Sequence, residues 1–356
     1  MKSVIRSCSA FCFFVVIALA FPVVSHAARP SQGSSPVHYH IVKKVVLGGN
    51  GFWDYLGFDP QNRHLFVSHG THVIVINPDT DKVIGDIPNT PGVHGIAVAP
   101  ELNRGFISDG RADQVTVFNL KTLKTIGTVK VTGHNPDGIM YDPASQRVFT
   151  FNGRSDDSTA IDAKTLKVVG TIALGGKPEF AVSNGRGMIY NNLEDKSEEL
   201  AIDSHTLKIK SRWPMAPCES PSGLAIDVRH NVLFAGCHNK MMAVINAETG
   251  KVITTVPIGG GVDANRFDPG TGLAFSSNGE GTLTVVKEES PADFKVVQSV
   301  ATERGARTME IDPKTHKIFT VTAKFGPMPP KPAAGQRRFR RPPMVPNSFT
   351  LLVLAP

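Results

Sequence analysis

The sequence lacks the short motifs that mark several common enzyme and cofactor classes. It contains no Gly-x-Ser-x-Gly elbow, no His-Glu-x-x-His pair and no Cys-x-x-Cys-His haem attachment, so these hydrolase, zinc-protease and haem signatures are excluded. Its longest glycine run, 259–261, lies between two predicted strands and is not the phosphate-binding loop that precedes a helix,. The function must therefore be sought in the architecture.

Long apolar runs are scarce as well. The run from Ala10 to Val24 follows Lys2 and Arg6 and ends in small residues up to Ala27, which is the order of a secretory signal. A retained membrane anchor is the alternative, but this run is shorter than the ~20 apolar residues that a spanning helix needs. We predict cleavage after Ala27, no membrane span in the mature chain, and a periplasmic or secreted protein.

Cysteine is rare, with four in the whole chain. Cys8 and Cys12 lie in the signal, which leaves Cys218 and Cys237 in an oxidising compartment that favours a bridge,. Cys218 lies just before the innermost strand of one predicted blade, and Cys237 ends the adjacent antiparallel strand. We therefore predict a Cys218–Cys237 disulfide, with two free small side chains as the alternative.

Outside the signal and one short segment, the chain has almost no net charge. The formal net charge is +7, and removing Lys2 and Arg6 leaves 7 − 2 = +5. Five residues of one segment supply that remainder: Lys331, Arg337, Arg338, Arg340 and Arg341. The rest is close to neutral, which argues against a broad nucleic-acid surface.

What the sequence has in abundance is repetition. Each unit contains four runs rich in Val, Ile, Phe and Thr, separated by Gly, Pro, Asn and Asp. A turn of similar type recurs every 40 to 44 residues, at 59–60, 99–100, 142–143, 184–185, 227–228, 268–269 and 312–313. This period predicts an all-β, seven-bladed β-propeller with four-stranded blades over residues 28–356, after a signal over residues 1–27.

The last repeat departs from the pattern in two ways. It ends after a third strand, 349–354, and the segment 40–47 has the alternation of a fourth strand without a blade of its own. We predict that 40–47 pairs beside 349–354, completes the last blade and removes two exposed sheet edges.

The second departure is the Pro- and Arg-rich insertion 325–347, predicted on the same face as the candidate site described below. It is either a surface loop or a partner for an anionic ligand.

Several repeats carry related tetrapeptides. Leu65-Phe66-Val67-Ser68, Gly105-Phe106-Ile107-Ser108-Asp109 and Ala274-Phe275-Ser276-Ser277-Asn278 resemble a Tyr-Val-Thr-Asn signature. The chain is thus similar to the YVTN-repeat, YncE-like β-propellers over essentially all of its mature length. The resemblance implies a periplasmic or secreted propeller, and related propellers include DNA-binding proteins, lactonases and subunits of quinone-dependent dehydrogenases.

A polar residue recurs five positions before each turn, where the chain enters the innermost strand. The set is Asp54, His94, Asp137, Glu179, Ser222, Asp263 and Arg307. Propeller ligands usually bind on the face to which these positions belong, and His69, Asn152 and His238 end second strands on that face. We predict that these residues other than Ser222 form a ligand-binding site around the axis. The alternative is a solvated channel mouth.

The sequence does not identify a cofactor, and a divalent metal is the one candidate class. Carboxylate and amide oxygens suit Ca²⁺, whereas His94 with His69 or His238 suits Zn²⁺ or Cu²⁺.

The leading functional hypothesis is a monomeric binding propeller of the cell envelope that holds a small molecule, a metal or an envelope protein. A metal-dependent lactonase-type hydrolase is the alternative, with Glu179, Asn191, Asn239 and Asp263 as the ligand set. DNA binding is a third hypothesis and the least favoured.

Overall fold

The computed structural model describes Met1, residues 38–329 and residues 342–356. Residues Met1–Val37 and His38–Pro356 form separate compact units, and only Met1 is described in the first. The predicted signal 1–27 and the arginines 337, 338, 340 and 341 therefore lie outside the described residues. Within the described ranges, no helix is long and apolar enough to cross a membrane.

The described residues of the second unit form seven four-stranded antiparallel sheets. The first strand in the chain is β1 (His40–Val46). Blade 1 contains β2 to β5 (Leu56–Asp59, His64–His69, His72–Asn77, Lys82–Ile87). Blade 2 contains β6 to β9 (Val93–Ala99, Arg104–Asp109, Gln114–Asn119, Thr125–Lys130), with a 3-10 turn at Pro100–Leu102. Blade 3 contains β10 to β13 (Pro136–Asp142, Arg147–Asn152, Asp157–Asp162, Val168–Ala173).

The remaining blades repeat the same order. Blade 4 contains β14 to β17 (Pro178–Ser183, Met188–Leu193, Glu198–Asp203, Lys208–Pro214). Blade 5 contains β18 to β21 (Pro221–Asp227, Val232–Cys237, Met241–Asn246, Val252–Pro257). Blade 6 contains β22 to β25 (Val262–Asp268, Leu273–Asn278, Thr282–Ser290, Asp293–Ala301). Blade 7 contains β26 to β28 (Met309–Ile311, Ile318–Thr322, Thr350–Ala355) together with β1. The predicted seven-bladed β-propeller is confirmed.

Burial along a blade explains why these sequences form strands in this order. The second strand of blade 1 is apolar on both faces, with Leu65, Phe66 and Val67 all buried, because a neighbouring blade covers each face. The fourth strand lies at the rim, where Val83 and Ile84 are exposed. Residues early in the first strand are thereby placed at the centre of the ring.

The ring closes as predicted. The order of the last sheet is β1-β28-β27-β26, with His40 opposite Ala355 and Val46 opposite Thr350. Tyr39, just before β1, is fully buried. Its hydroxyl donates to the carbonyl oxygen of His316 at 2.9 Å. The first described strand and the last are thus joined in one blade.

The predicted disulfide is present. Cys218 and Cys237 are bonded with an S–S distance of 2.06 Å, and both side chains are buried. The bridge connects the loop before β18 to the end of β19, so it joins two segments of the same blade.

A buried acid lies between blades 4 and 5. Glu199 in β16 is fully buried, and neither of its carboxyl oxygens hydrogen-bonds to a described residue. Burial raises the pKa of Glu199 well above its ordinary value,. At a pH above about 4.3, the pKa of glutamate in the unfolded chain, Glu199 must therefore take up a proton when the chain folds. The free energy of unfolding falls as the pH rises beyond that value.

We predict that Glu199→Gln stabilises the fold in a pH-dependent way. The variant is expected to match the native protein near pH 4 and to exceed its free energy of unfolding near pH 8, because the raised pKa of Glu199 costs the native protein about 1.4 kcal/mol for each pH unit above the unfolded pKa, up to the folded one,. Urea unfolding at both pH values measures this. The matched control is Glu198→Gln, which removes only the ion pair with Arg212 at 2.7 Å. A Glu199→Gln effect that does not grow with pH would contradict the prediction.

Candidate functional site

The polar ring begins at the start of the innermost strands. Asp54 and Arg307 lie two residues before β2 and β26, and each of the other five members is the second residue of its strand. The backbone amide of Asp54 is held by the Ser68 hydroxyl at 2.8 Å. In blade 2 the amide of Gly95, next to His94, is held by Ser108 in the same way. Hydroxyls on second strands thus position the ring residues.

Five charged side chains form a continuous chain of contacts on one side of the axis. Arg307 Nε lies 2.5 Å from Asp263 Oδ2, and Arg307 Nη2 lies 3.9 Å from Asp54 Oδ1. Asp54 Oδ2 is in turn 2.6 Å from His94 Nδ1, and the same nitrogen is 3.4 Å from Asp137 Oδ1. The structure therefore brings together five residues that the sequence pattern selected.

The opposite side of the ring has its own cation, which the sequence analysis did not include. Lys177 Nζ lies 2.6 Å from Glu179 Oε1 and also contacts Glu194. His238 Nδ1 is 3.8 Å from Glu194 Oε1. The one signal available in the sequence was a lysine two residues before Glu179 at the same strand entrance.

The protonation of the ring follows from these contacts. Burial alone would lower the pKa of His94, but its hydrogen bond to Asp54 and the charge of Asp137 outweigh burial and raise the pKa to about 9,. Burial raises the pKa of Asp137, of Glu179 and of Asp263. The raised pKa values favour the protonated form of these acids, and the cationic side chains of His94, Arg307 and Lys177 lie beside the carboxyl groups of the ring.

Tyr55 is a second residue that the sequence analysis missed. Its pKa is raised well above the ordinary value by burial and then by the charge of Asp137, and its ring lies 4.6 Å from that of Phe180. Tyr55 also lines a cavity of about 230 Å³ that includes Phe58, Tyr141 and Arg266. It thus lies next to the acids of the ring and borders a separate space lined by the inner strands.

A larger cavity lies at the ring, and we call it the upper axial cavity. It measures about 500 Å³. The charged and aromatic residues that line it are Asp54, His94, Arg307, Arg111, Arg154, Phe52 and Trp53. Arg111 and Arg154 follow the second strands of blades 2 and 3 and are exposed. Neither forms an ion pair with any residue that the structure describes. A neighbouring cavity of about 370 Å³ shares Phe52, Trp53 and Arg307 and adds Arg304.

Two predicted residues lie inside their blades. His69 is buried and stacks on Phe349 at 4.5 Å, and burial lowers its pKa to about 4. Asn152 is fully buried and donates to Asp157 and Thr159 of its own blade. Neither residue lines the upper axial cavity.

The four residues considered for a lactonase-type metal are each engaged by a different neighbour. Glu179 contacts Lys177, and Asp263 contacts Arg307. Asn191 donates to the backbone carbonyl groups of Glu179 and Phe180. Asn239 donates to the carbonyl oxygen of Pro217. All four residues are described, and no hydrogen bond or ion pair joins the side chains of any two of them.

A different trio at the ring has the composition of a metal site. Asp54, His94 and Asp137 each offer one ligand atom, and these atoms lie within 4.8 Å of one another. However, His94 Nδ1 lies between the two carboxylates at hydrogen-bonding distance from Asp54, and the raised pKa of the imidazole keeps a proton there. A metal there would have to displace this imidazolium and would also lie close to the guanidinium of Arg307, which is 3.9 Å from Asp54.

Comparison with known proteins supports the fold and nothing narrower. No family model matches the chain, and no curated protein matches it. A solved structure titled Kuenenia stuttgartiensis hydrazine synthase aligns with a TM-score of 0.67 and 15% identity over 81% of this chain and 95% of that one. A chain from a structure of the mitotic checkpoint complex aligns with a TM-score of 0.69 and 14% identity over 86% and 95%.

The likeness is one of fold. At these identities the two structures share the seven-bladed propeller with this chain, and the fold is a general scaffold for binding ligands or proteins,. Membership of the YVTN-repeat family stays a prediction.

Proposed function

We propose that this chain is an exported binding propeller that captures a small organic anion in the upper axial cavity. The single observation that carries the proposal is the pair Arg111 and Arg154. Both line the cavity beside Arg307 and His94, and neither has an acidic partner among the described residues. Guanidinium groups without partners at a concave site favour carboxylate or phosphate ligands, because each offers charge-assisted hydrogen bonds.

The charges beneath the cavity favour an anion over a metal. Three acids of the ring are already paired: Asp263 with Arg307, Asp54 with His94, and Glu179 with Lys177. The fourth, Asp137, lies 3.4 Å from the same His94 nitrogen as Asp54. A cation entering the ring would have to displace one of these partners. An anion above the ring meets cationic side chains that face the cavity.

The aromatic wall suggests the rest of the ligand. Trp53 is buried under the cavity, whereas Phe52 is 64% exposed and lines both the upper axial cavity and its neighbour. Arg307 lies over the Trp53 ring at 5.8 Å,. A planar or apolar group attached to the anion would pack against these rings, as in small-molecule sites with few polar anchors.

Export fits the same proposal. The signal-like residues 1–27 and the Cys218–Cys237 disulfide are typical of periplasmic or secreted proteins, and we propose a monomer there. The lactonase and DNA-binding hypotheses lack a comparable observation, because the metal candidates are engaged elsewhere and the arginines of the insertion lie outside the described residues.

Phenyl phosphate combines an anion with an aromatic ring and is the probe that we would use first. We predict that it binds the full chain, and that Arg154→Gln lowers the affinity by about 10- to 100-fold, the loss of a charge-assisted hydrogen bond of about 1.5–3 kcal/mol. Binding should also weaken above pH 9, where His94 loses its proton and the cavity loses a positive charge. Isothermal calorimetry at pH 7 and pH 10 measures both effects.

The matched control is Arg186→Gln. Arg186 is an exposed arginine in the turn between β14 and β15, remote from the residues that line the cavity. Its replacement should leave the affinity unchanged. Failure of phenyl phosphate and inorganic phosphate to bind at millimolar concentration would overturn the proposal, as would equal losses in the Arg154 and Arg186 variants.

A further inference from the structure

An aspartate that ends the first strand is a repeated structural device of this propeller. Its carboxylate accepts a hydrogen bond from the residue three positions later, which closes the turn between first and second strands. In four blades that donor is an uncharged amide or hydroxyl: Asn62 to Asp59 at 2.7 Å, Ser145 to Asp142 at 2.7 Å, Thr271 to Asp268 at 2.8 Å and Thr315 to Asp312 at 2.6 Å. Blade 5 departs from this rule, because His230 occupies the donor position beside Asp227.

A second position repeats in blades 2 to 6, and in blades 2 to 5 it directly follows the Asn or Asp that ends the third strand. The residue there donates its backbone amide to the turn between the first two strands of the same blade. In four blades it is uncharged and buried: Leu120, Ala163, Ser204 and Ala247. In blade 6 it is Glu288, which donates to Gly272.

The two departures meet at the interface between blades 5 and 6. His230 Nδ1 lies 2.6 Å from Asp227 Oδ2 and 2.8 Å from Glu288 Oε1. The side chains of Asp227 and Glu288 are only 4% and 3% exposed, whereas that of His230 is 37% exposed. Glu288 Oε2 is buried and makes no hydrogen bond with the described residues. Two buried carboxylates thus share a single imidazole.

This arrangement is more than the fold requires. At the same position in four other blades the residue is leucine, alanine or serine, so packing alone does not call for an acid. A second buried carboxylate next to the first is unfavourable unless a cation accompanies it. The unpartnered Glu288 oxygen points to a ligand that the protein contacts alone leave out.

We propose that Asp227, His230 and Glu288 form a Zn²⁺ site at the interface between blades 5 and 6. Their ligand atoms lie within 4.8 Å of one another, and one imidazole nitrogen with two carboxylates is a donor set that zinc accepts. The metal would bind His230 through Nδ1, in place of the contacts that this nitrogen now makes with the two carboxylates. The exposed side of His230 leaves room for water as a fourth ligand. The ion would tie two blades together and is independent of the anion site.

The chain contains a natural control for this proposal. At the interface between blades 6 and 7, His316 Nδ1 lies 2.7 Å from Asp268 Oδ2. Among the described residues, no second acid forms an ion pair with His316 or completes a group of three metal ligands there. A histidine beside one carboxylate is expected to hold no zinc. His316→Ala therefore removes a similar pair without touching the proposed site.

The test uses the full chain without a polyhistidine tag, freed of metal by a chelator and titrated with ZnCl₂. We expect a site that raises the unfolding temperature, measured by thermal unfolding, and whose affinity is measured by calorimetry. Glu288→Ala should lower the zinc affinity at least tenfold. Alanine is the residue that blades 3 and 5 have at the corresponding position, Ala163 and Ala247. Glu288→Gln is the second variant, in case the first perturbs packing. His316→Ala and His94→Gln should retain the affinity.

Co²⁺ provides a spectroscopic check. Its visible absorption should show coordination in the native chain and in His316→Ala, and should be lost in Glu288→Ala and in Glu288→Gln. Zinc affinity that survives both Glu288 variants would overturn the proposal. So would zinc affinity that disappears in His94→Gln, because the metal would then belong to the polar ring.

Discussion

Removing residues 37–47 is expected to lower the unfolding temperature by at least about 10 °C. The deletion takes away β1, which pairs with β28 along its whole length, and the fully buried Tyr39. Blade 7 would keep three strands, and the unpaired edge of β28 would be exposed together with Leu352 and Leu354, both of which are now buried. Losing a large buried aromatic residue alone costs about 3–5 kcal/mol, and the open ring adds to it.

Thermal unfolding followed by circular dichroism measures this effect, and two comparisons make it specific. Val42→Ala changes an exposed residue of the same strand and should alter the unfolding temperature little. A synthetic peptide of residues 37–47 should restore stability when added to the truncated chain, since it can pair again with β28. A truncated chain that unfolds at the native temperature would show that the ring does not depend on this strand.

Arg307→Met is expected to destabilise the fold by about 2–3 kcal/mol at pH 8. Arg307 neutralises Asp263 at 2.5 Å and lies near Asp54, and it donates to the carbonyl oxygen of Trp53 at 3.1 Å. Removing it leaves a carboxylate at the ring without its counter-ion. The expected loss is smaller than the ~3–5 kcal/mol for breaking a fully buried pair, because the Arg307 side chain is 37% exposed,.

The deficit should depend on pH in a direction that follows from the charges. Burial already raises the pKa of Asp263, and Arg307 counteracts this. Without the guanidinium the folded pKa of Asp263 rises further, so the penalty is present above that pKa and fades as the pH falls towards the unfolded value near 4.

Urea unfolding at pH 8, 6 and 4.5 tests this direction. Arg307→Lys should recover part of the loss, and adding Asp263→Asn to Arg307→Met should remove most of the pH dependence. If Arg307→Met lowers the free energy of unfolding equally at all three pH values, the loss comes from packing against Trp53 and not from an unpaired charge.

The sequence by itself determined the architecture and the place of the candidate site. The recurrence of turns every 40 to 44 residues predicted seven blades, because a strand sequence and its turns are local properties that each repeat expresses anew. The missing fourth strand of the last repeat predicted its replacement by 40–47, and the adjacency of two segments in one blade predicted the Cys218–Cys237 bridge. The same register placed Asp54, His94, Asp137 and Arg307 at strand entrances, where the structure joins them.

Only the tertiary structure decided which side chains meet and what they leave open. Asp54 and His94 lie 40 residues apart, and His230 and Glu288 lie 58 apart, so their contacts depend on how neighbouring blades stack. His69 and Asn152 occupy strand ends in the pattern, yet their side chains are buried. Period and register specify where a residue lies along a strand. The direction of its side chain, and the charge that compensates it, come from the loops and from the adjacent blade. Lys177 therefore neutralises Glu179 without any signal in the repeat, whereas Arg111 and Arg154 face the cavity without an acidic partner among the described residues.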